Sequence, residues 1–220
     1  MIYNIIFDFD GVLVDSEILA GKAFSQFLSL KNIEFNQKEF STYYSGKKLV
    51  EVVSMLSDRF NIKNPEVFFE EMMKVSNSIY LKDLKPVKGV RNFLDSINQY
   101  KKLIGSNRGK NSIIEGLKKV DFYKYFKKEN IFSFDMVKKP KPDPEVFLKA
   151  ISEAKINPEN TIIIEDSVIG IKAAVAANVK VIGITCGSHW NDRSSNILLE
   201  VGAYSVASNF KEVLKVINNL

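Results

Sequence analysis

The sequence predicts an α/β protein: a parallel sheet covered by helices, with an all-helical domain inserted after the first strand. Three observations carry this. Residues 3–7 form a short apolar, β-favouring run that ends at two acids, Asp8 and Asp10. A strand that is apolar throughout is one buried on both faces. Beyond about residue 102, short apolar runs alternate with stretches of helical periodicity, the pattern of successive βαβ units. Between these regions, residues 16–84 carry helical spacing and no strand candidate.

The elements follow in order. Ala20, Ala23, Phe24, Phe27 and Leu28 recur at helical spacing over 16–30. The pattern repeats over 45–60 with Leu49, Val52, Val53 and Leu56, and over 65–82 with Val67, Phe68, Met72, Val75 and Ile79. These aromatic and methionine side chains read as core. Pro86 and Gly89 mark a boundary. A helix then fits 89–100, a strand 102–105, a helix 109–119, a strand 131–134 and a helix 143–154. A strand at 161–164, a helix at 167–177 and a strand at 179–184 come next. A loop with a short helix runs to about 199, followed by a strand near 203–206 and a helix at 209–219. The first strand alone has no partner, so it must join the later sheet. That gives a core domain of 1–15 and 85–220 and a helical domain of 16–84.

Composition narrows the classes of function. The chain has 220 residues, 45% hydrophobic and 26% charged, which are globular values and exclude a disordered chain. A single cysteine, Cys186, excludes an internal disulfide framework and suits a reducing compartment. No apolar run approaches the roughly 20 residues that span a bilayer, and the first strand begins without a leader pattern. A cytoplasmic protein with no membrane partner is the expectation. The net charge of +5 is spread over scattered lysine pairs with no basic arm, so no nucleic-acid partner is expected. The positive field would draw in small anions.

Four polar clusters interrupt the apolar texture. Asp8 and Asp10 stand where the first strand ends, with Gly11 as a turn residue. Ligands of open α/β sheets bind outside the carboxyl ends of the strands. Two like charges at that place call for a cation or a shared proton, which suits a Mg²⁺ site or an acid/base beside a nucleophile. Gly105-Ser106-Asn107 follows the second strand, offering a hydroxyl and backbone amides to a phosphate oxygen. In Lys138-Lys139-Pro140-Lys141-Pro142-Asp143-Pro144, alternating prolines stiffen an extended backbone, and a lysine held there is a point charge for phosphate. Asp143 and Pro144 also read as the N-cap and first position of the next helix. Ile162-Ile163-Ile164-Glu165-Asp166-Ser167 repeats the logic of the first strand. Asp166 is either an N-cap or, with Glu165, part of a site for one hard cation.

Together F-D-F-D-G-V-L-V-D-S-E (7–17), G-S-N (105–107), K-P-K-P-D-P (139–144) and I-E-D-S-V-I-G-I-K-A-A (164–174) resemble the haloacid dehalogenase superfamily. The closer likeness is to its β-phosphoglucomutase-like and sugar-phosphate phosphatase branch, and it covers essentially the whole chain. The resemblance implies a Rossmann-like core with a helical cap after the first strand. It implies that Asp8 attacks phosphorus and carries an aspartyl-phosphate. Asp10 would protonate the leaving oxygen and then activate water, while its carbonyl binds Mg²⁺. Ser106 and Lys139 would hold the phosphoryl group, with Asn107 also at the substrate. Asp166 would bind Mg²⁺, and Glu165 would do so directly or through water.

Two departures refine the expectation. β-Phosphoglucomutases carry a histidine shortly after D-S/T-x-E, where this chain has Ala20; its sole histidine, His189, lies far downstream in a loop and is given no role. Dehalogenases lack the second aspartate of D-x-D, so Asp10 argues against dehalogenation. The cap segment Tyr44-Ser45-Gly46-Lys47-Lys48-Leu49 resembles the specificity loop of bacterial 6-phosphogluconate phosphatases, which would put Gly46, Lys47 and Lys48 at an acidic sugar phosphate. The expected function is a Mg²⁺-dependent phosphatase of small phosphorylated metabolites, sugar or sugar-acid phosphates, acting as a monomer or weak homodimer. The alternatives are a hexose-phosphate mutase and a non-catalytic phosphometabolite-binding protein.

Overall fold

The computed structural model describes residues 1–44, 49–190 and 194–220. By internal contacts these fall into two compact units, 1–15 with 85–220, and 16–84. Gly46, Lys47 and Lys48 lie outside the described residues.

The larger unit is a six-stranded parallel sheet in the order β3-β2-β1-β4-β5-β6. Its strands are β1 (Asn4–Phe7), β2 (Lys101–Ser106), β3 (Ile131–Ser133), β4 (Thr161–Glu165), β5 (Lys180–Ile184) and β6 (Ser205–Ala207). β1 is central because every residue of Asn4–Phe7 is buried and apolar side chains point both ways. Ile6 joins a cluster with Leu103, Phe132, Phe147, Ile163 and Val181. Phe7, on the opposite face, meets Phe93 and Phe126 edge-on at centroid distances of 6.2 and 5.8 Å. Crossover helices α5 (Val90–Ser96), α6 (Lys110–Lys119), α7 (Glu145–Ala154), α8 (Val168–Ala176), α9 (Asn196–Glu200) and α10 (Phe210–Asn218) accompany the strands.

This strand order reverses direction of growth at β1, whose neighbours are β2 on one side and β4 on the other. A crevice opens at such a switch point, outside the carboxyl ends of the strands. The register places the acids there. Phe7 pairs with Ile164, so Asp8 and Glu165 stand level across the β1–β4 seam. In a parallel pair, level residues project to the same face.

The smaller unit contains α1 (Glu17–Ser29), α2 (Gln37–Tyr43), α3 (Leu49–Phe60) and α4 (Pro65–Asp83). Its core is aromatic: Phe24 stacks on Phe40 at 5.1 Å and Phe27 meets Phe68 at 4.9 Å. α2 adds to the helices expected from periodicity, since a seven-residue helix offers barely two turns of pattern; the side chain of Asn36 caps it by accepting from the Glu39 N–H at 2.8 Å. Among the described residues no helix is long and apolar enough to cross a membrane.

Two local expectations shift. The N-cap of α8 is Ser167, whose hydroxyl accepts from the Gly170 N–H at 3.1 Å, so Asp166 is not spent as a cap. α7 begins at Glu145 with Pro144 as its N-cap residue, one position later than expected. Asp143 still serves the helix start by accepting from the Glu145 N–H at 3.1 Å.

Candidate active site

The turn after β1 is tight. The Gly11 N–H donates to the Val14 carbonyl at 2.8 Å, and Gly11 sits at φ +74°. A Cβ there would stand 1.7 Å from Asp166 Oδ2. Gly11 therefore serves twice: it permits the left-handed turn, and it leaves room for the carboxylate that ends the next strand. The Asp8 N–H extends the ladder to the Ile164 carbonyl at 2.9 Å, so Asp8 is held by backbone on a rigid strand.

Asp8, Glu165 and Asp166 are buried, and one carboxylate oxygen of each lies within 4.8 Å of the others. A single ammonium enters among them. Lys141 Nζ donates to Asp8 Oδ1 and to Glu165 Oε1, each at 2.8 Å, and lies 4.6 Å from the centroid of the Phe147 ring. Burial raises the Asp8 carboxyl, Lys141 opposes that shift, and the charges of Glu165 and Asp10 add to it; the result is about 7. Burial would lower the Lys141 amine, but the carboxylates of Asp8 and Glu165 more than offset it and hold it above its ordinary value.

Lys141 corrects the expectation for this loop, which chose Lys139. The Lys139 side chain is exposed, and its backbone N–H, like that of Lys138, donates to Glu145 Oε2. Asn107 fixes the choice. Its side-chain carbonyl accepts from the Lys141 N–H at 2.8 Å, and its amide donates to the Lys141 carbonyl at 3.2 Å. Asn107, expected at the substrate, thus positions the lysine. Both lysines share the stiff Pro-flanked frame, so only a tertiary partner separates them.

Glu165 is saturated with donors. Besides Lys141, its Oε2 accepts from the Asp166 N–H at 2.8 Å and from the Ser167 N–H and hydroxyl, each at 2.9 Å. Gly170 makes room for it: a Cβ there would stand 1.7 Å from Glu165 Oε1.

Ser106 is buried at the end of β2, and its Oγ accepts from the Arg108 N–H at 3.2 Å. Ile104, two positions earlier, pairs with Phe7, so Ser106 lies beside the β1 end in register. Asp10 is met by Arg108, whose Nε donates to both carboxylate oxygens at 3.0 and 2.8 Å.

His189, a loop histidine with no expected role, has its Nε2 3.1 Å from Asp166 Oδ2. The loop that carries it is tied down by Asp15, which accepts from the Ser188 N–H at 3.3 Å and from the Ser188 hydroxyl. A lone histidine in a loop carries no periodic signal, and only the approach of β5's end to β4's end reveals it.

Comparison with other proteins gives a consistent setting. A model of the haloacid dehalogenase-like hydrolase family matches residues 5–184. The phosphorylated carbohydrates phosphatase of Thermotoga maritima is 28% identical, over 98% of both chains. The 6-phosphogluconate phosphatase of Escherichia coli is 25% identical, over 84% of this chain and 83% of its own. A conserved haloacid dehalogenase-like protein of unknown function from Agrobacterium tumefaciens superposes with a TM-score of 0.87 at 29% identity, covering 100% of this chain and 99% of that one.

Proposed function

The chain belongs to the haloacid dehalogenase-like hydrolase family and is a phosphoric monoester hydrolase, and we propose that it hydrolyses small sugar or sugar-acid phosphates with Asp8 as nucleophile. The observation that carries this reading is the buried pair of Asp8 and Lys141, set level with Glu165 at the switch point of the sheet. A carboxylate held on a strand end beside one ammonium is placed to attack an anion that the ammonium attracts.

In this reading Asp8 Oδ attacks phosphorus and the bond to the leaving-group oxygen breaks, leaving the phosphoryl group on Asp8. Asp10 gives its proton to the departing oxygen. It then takes a proton from water as that water attacks the same phosphorus and restores Asp8. The Lys141 ammonium and the Ser106 hydroxyl hold phosphoryl oxygens, since phosphoryl transfer is mostly positioning and charge neutralisation. Glu165, with its four donors, holds Lys141 and the start of α8 in place.

The donor set also fits a hard divalent cation. Three carboxylates against one ammonium leave two negative charges on oxygen ligands, which suits Mg²⁺. Asp8 and Asp166 would hold it, with Glu165 outside them because its oxygens already accept from protein donors. When bound, Mg²⁺ would supply positive charge opposite the phosphoryl oxygens.

The test is release of phosphate from p-nitrophenyl phosphate and a panel of sugar phosphates, with and without Mg²⁺. Turnover that EDTA abolishes and Mg²⁺ restores is the expected outcome. Full activity in metal-free buffer overturns the cation, and no turnover of any phosphomonoester in Mg²⁺ overturns the hydrolase reading in favour of a binding protein. Glucose 1-phosphate converted to the 6-phosphate, with no free sugar, would make it a mutase.

A further inference from the structure

We propose that Arg108 is a specificity-determining residue that selects substrates whose leaving group carries its own negative charge, a carboxylate or a second phosphate. The inference rests on the phosphatase reading above and deepens it.

The geometry is that of an exchangeable lock on Asp10. Arg108 Nε donates to both Asp10 oxygens, at 3.0 and 2.8 Å, and Nη1 donates to Ser112 Oγ at 3.3 Å on the first turn of α6. The backbone N–H of Arg108 donates to Ser106 Oγ at 3.2 Å, so the same residue is anchored to the proposed phosphoryl site. Asp10 must exchange a proton with the leaving-group oxygen. The guanidinium competes for the same carboxylate lone pairs, and whatever is bonded to that oxygen lies beside Asp10 and therefore beside Arg108.

The pair is not sealed: the Arg108 and Asp10 side chains are 29% and 21% exposed. Water, and so an anion from solution, can reach the guanidinium, and solvent screening weakens an ion pair that is partly exposed. A guanidinium matches carboxylate or phosphate oxygens in a planar fork. A leaving group with such an anion can replace Asp10 as the partner of Arg108. One carboxylate is traded for another anion, and Asp10 is released to move its proton. A neutral leaving group offers no replacement, so Asp10 stays engaged or the pair is broken without return. Discrimination follows, with the charge read on the leaving group and not on the phosphoryl group.

The experiment compares 6-phosphogluconate with glucose 6-phosphate, which share the phosphate position and differ at C1, an open-chain carboxylate against a neutral cyclic hemiacetal, and adds pyrophosphate for a phosphate leaving group. In Arg108→Ala the ratio of kcat/KM for 6-phosphogluconate over glucose 6-phosphate falls at least tenfold, through a raised KM for the acid and faster turnover of the neutral sugar. Arg108→Lys, which keeps the charge without the fork, recovers part of the ratio and serves if the alanine variant does not fold. A sugar ratio within twofold of wild type in both variants, together with no selective loss on pyrophosphate relative to p-nitrophenyl phosphate, overturns the proposal. The tenfold drop on pyrophosphate relative to p-nitrophenyl phosphate, without one on 6-phosphogluconate, supports it with phosphate as the anion. If wild type hydrolyses none of these, the phosphatase reading fails, and calorimetry decides the inference separately. Asp8→Asn protein should then bind 6-phosphogluconate at least tenfold more weakly when Arg108 is also replaced by Ala, with glucose 6-phosphate affected less. Equal affinities for the acid overturn it.

Discussion

Asp8 and Glu165 end neighbouring strands, stand level in register, are both buried, and accept from the same Lys141 ammonium at 2.8 Å. They differ in what else reaches them. Glu165 also accepts two backbone N–H groups and a hydroxyl from the start of α8. The hydrogen bonds of Asp8's carboxylate among the described residues come from Lys141, and its carboxyl is lifted to about 7. A buried carboxylate supplied with donors is a structural anchor. A buried carboxylate left short of them is poised to react, or to gain a cation, because its charge is poorly compensated. The chemistry of the two acids is the same, and the donors that reach them differ.

The sharpest way to break this comparison is to make the same change on both sides. Asp8→Asn removes the proposed nucleophile and should lower kcat on p-nitrophenyl phosphate by roughly 10⁵-fold or more. Glu165→Gln, acting through Lys141, should lower it only about 10–100-fold. Equal losses would show that the two acids do not have separate roles.

Lys141 is common to both. Lys141→Met should reduce kcat by about 10²–10³-fold through lost phosphoryl stabilisation. It should also destabilise the protein by about 3–5 kcal/mol, because two buried carboxylates lose their cation. Lys139→Met, on an exposed side chain, should change neither by more than a small factor. Activity lost in Lys139→Met and kept in Lys141→Met would reverse the assignment.

Replacing each acid by its amide separates the two by the sign of the stability change, and for Asp8 that change depends on pH. The Asp8 carboxyl rises from its ordinary 3.8 to about 7 in the folded protein. Between those values the folded state binds more protons than the unfolded chain. Stability therefore falls as pH climbs from about 4 to about 7, and the loss is complete above that. In EDTA, Asp8→Asn should melt higher than wild type at pH 8, by on the order of a few kcal/mol, and the gap should narrow towards pH 5. Glu165→Gln should melt lower than wild type at pH 8, by about 1–3 kcal/mol, because donors lose a charged acceptor. Thermal melts of the three proteins at both pH values check this. A Glu165→Gln protein more stable than wild type would end the anchor reading.

The smallest effects concern the supports. Gly170→Ala puts a methyl on the space Glu165 uses and should cost about 1–3 kcal/mol, read from the melting temperature. Asn107→Ala frees the Lys141 backbone and should cost about 1–2 kcal/mol, with kcat reduced more than KM is raised. A stable, fully active Asn107→Ala protein would mean that the Pro-flanked frame holds the lysine unaided.

Much of this was legible in the residues. The apolar run of β1, the alternation after residue 100 and the helical spacing of 16–84 determined a parallel sheet with a helical insertion, because burial on two faces and on one stripe leave different periods in sequence. Strand ends were legible too, since Asp8, Ser106 and Glu165-Asp166 each interrupt an apolar run where a parallel sheet exposes its carboxyl edge. Sequence also marked Gly11 as a turn residue. The tertiary structure alone decided which lysine enters the site, because Lys139 and Lys141 share one local frame and only Asn107, from another loop, distinguishes them. It alone showed that Arg108 meets Asp10 and that His189 meets Asp166, pairs 98 and 23 residues apart. It alone distinguished the surroundings of Asp8 and Glu165, because donors arriving from across the sheet and from a following helix set the solvation of a buried charge, and that solvation has no signature in the local sequence.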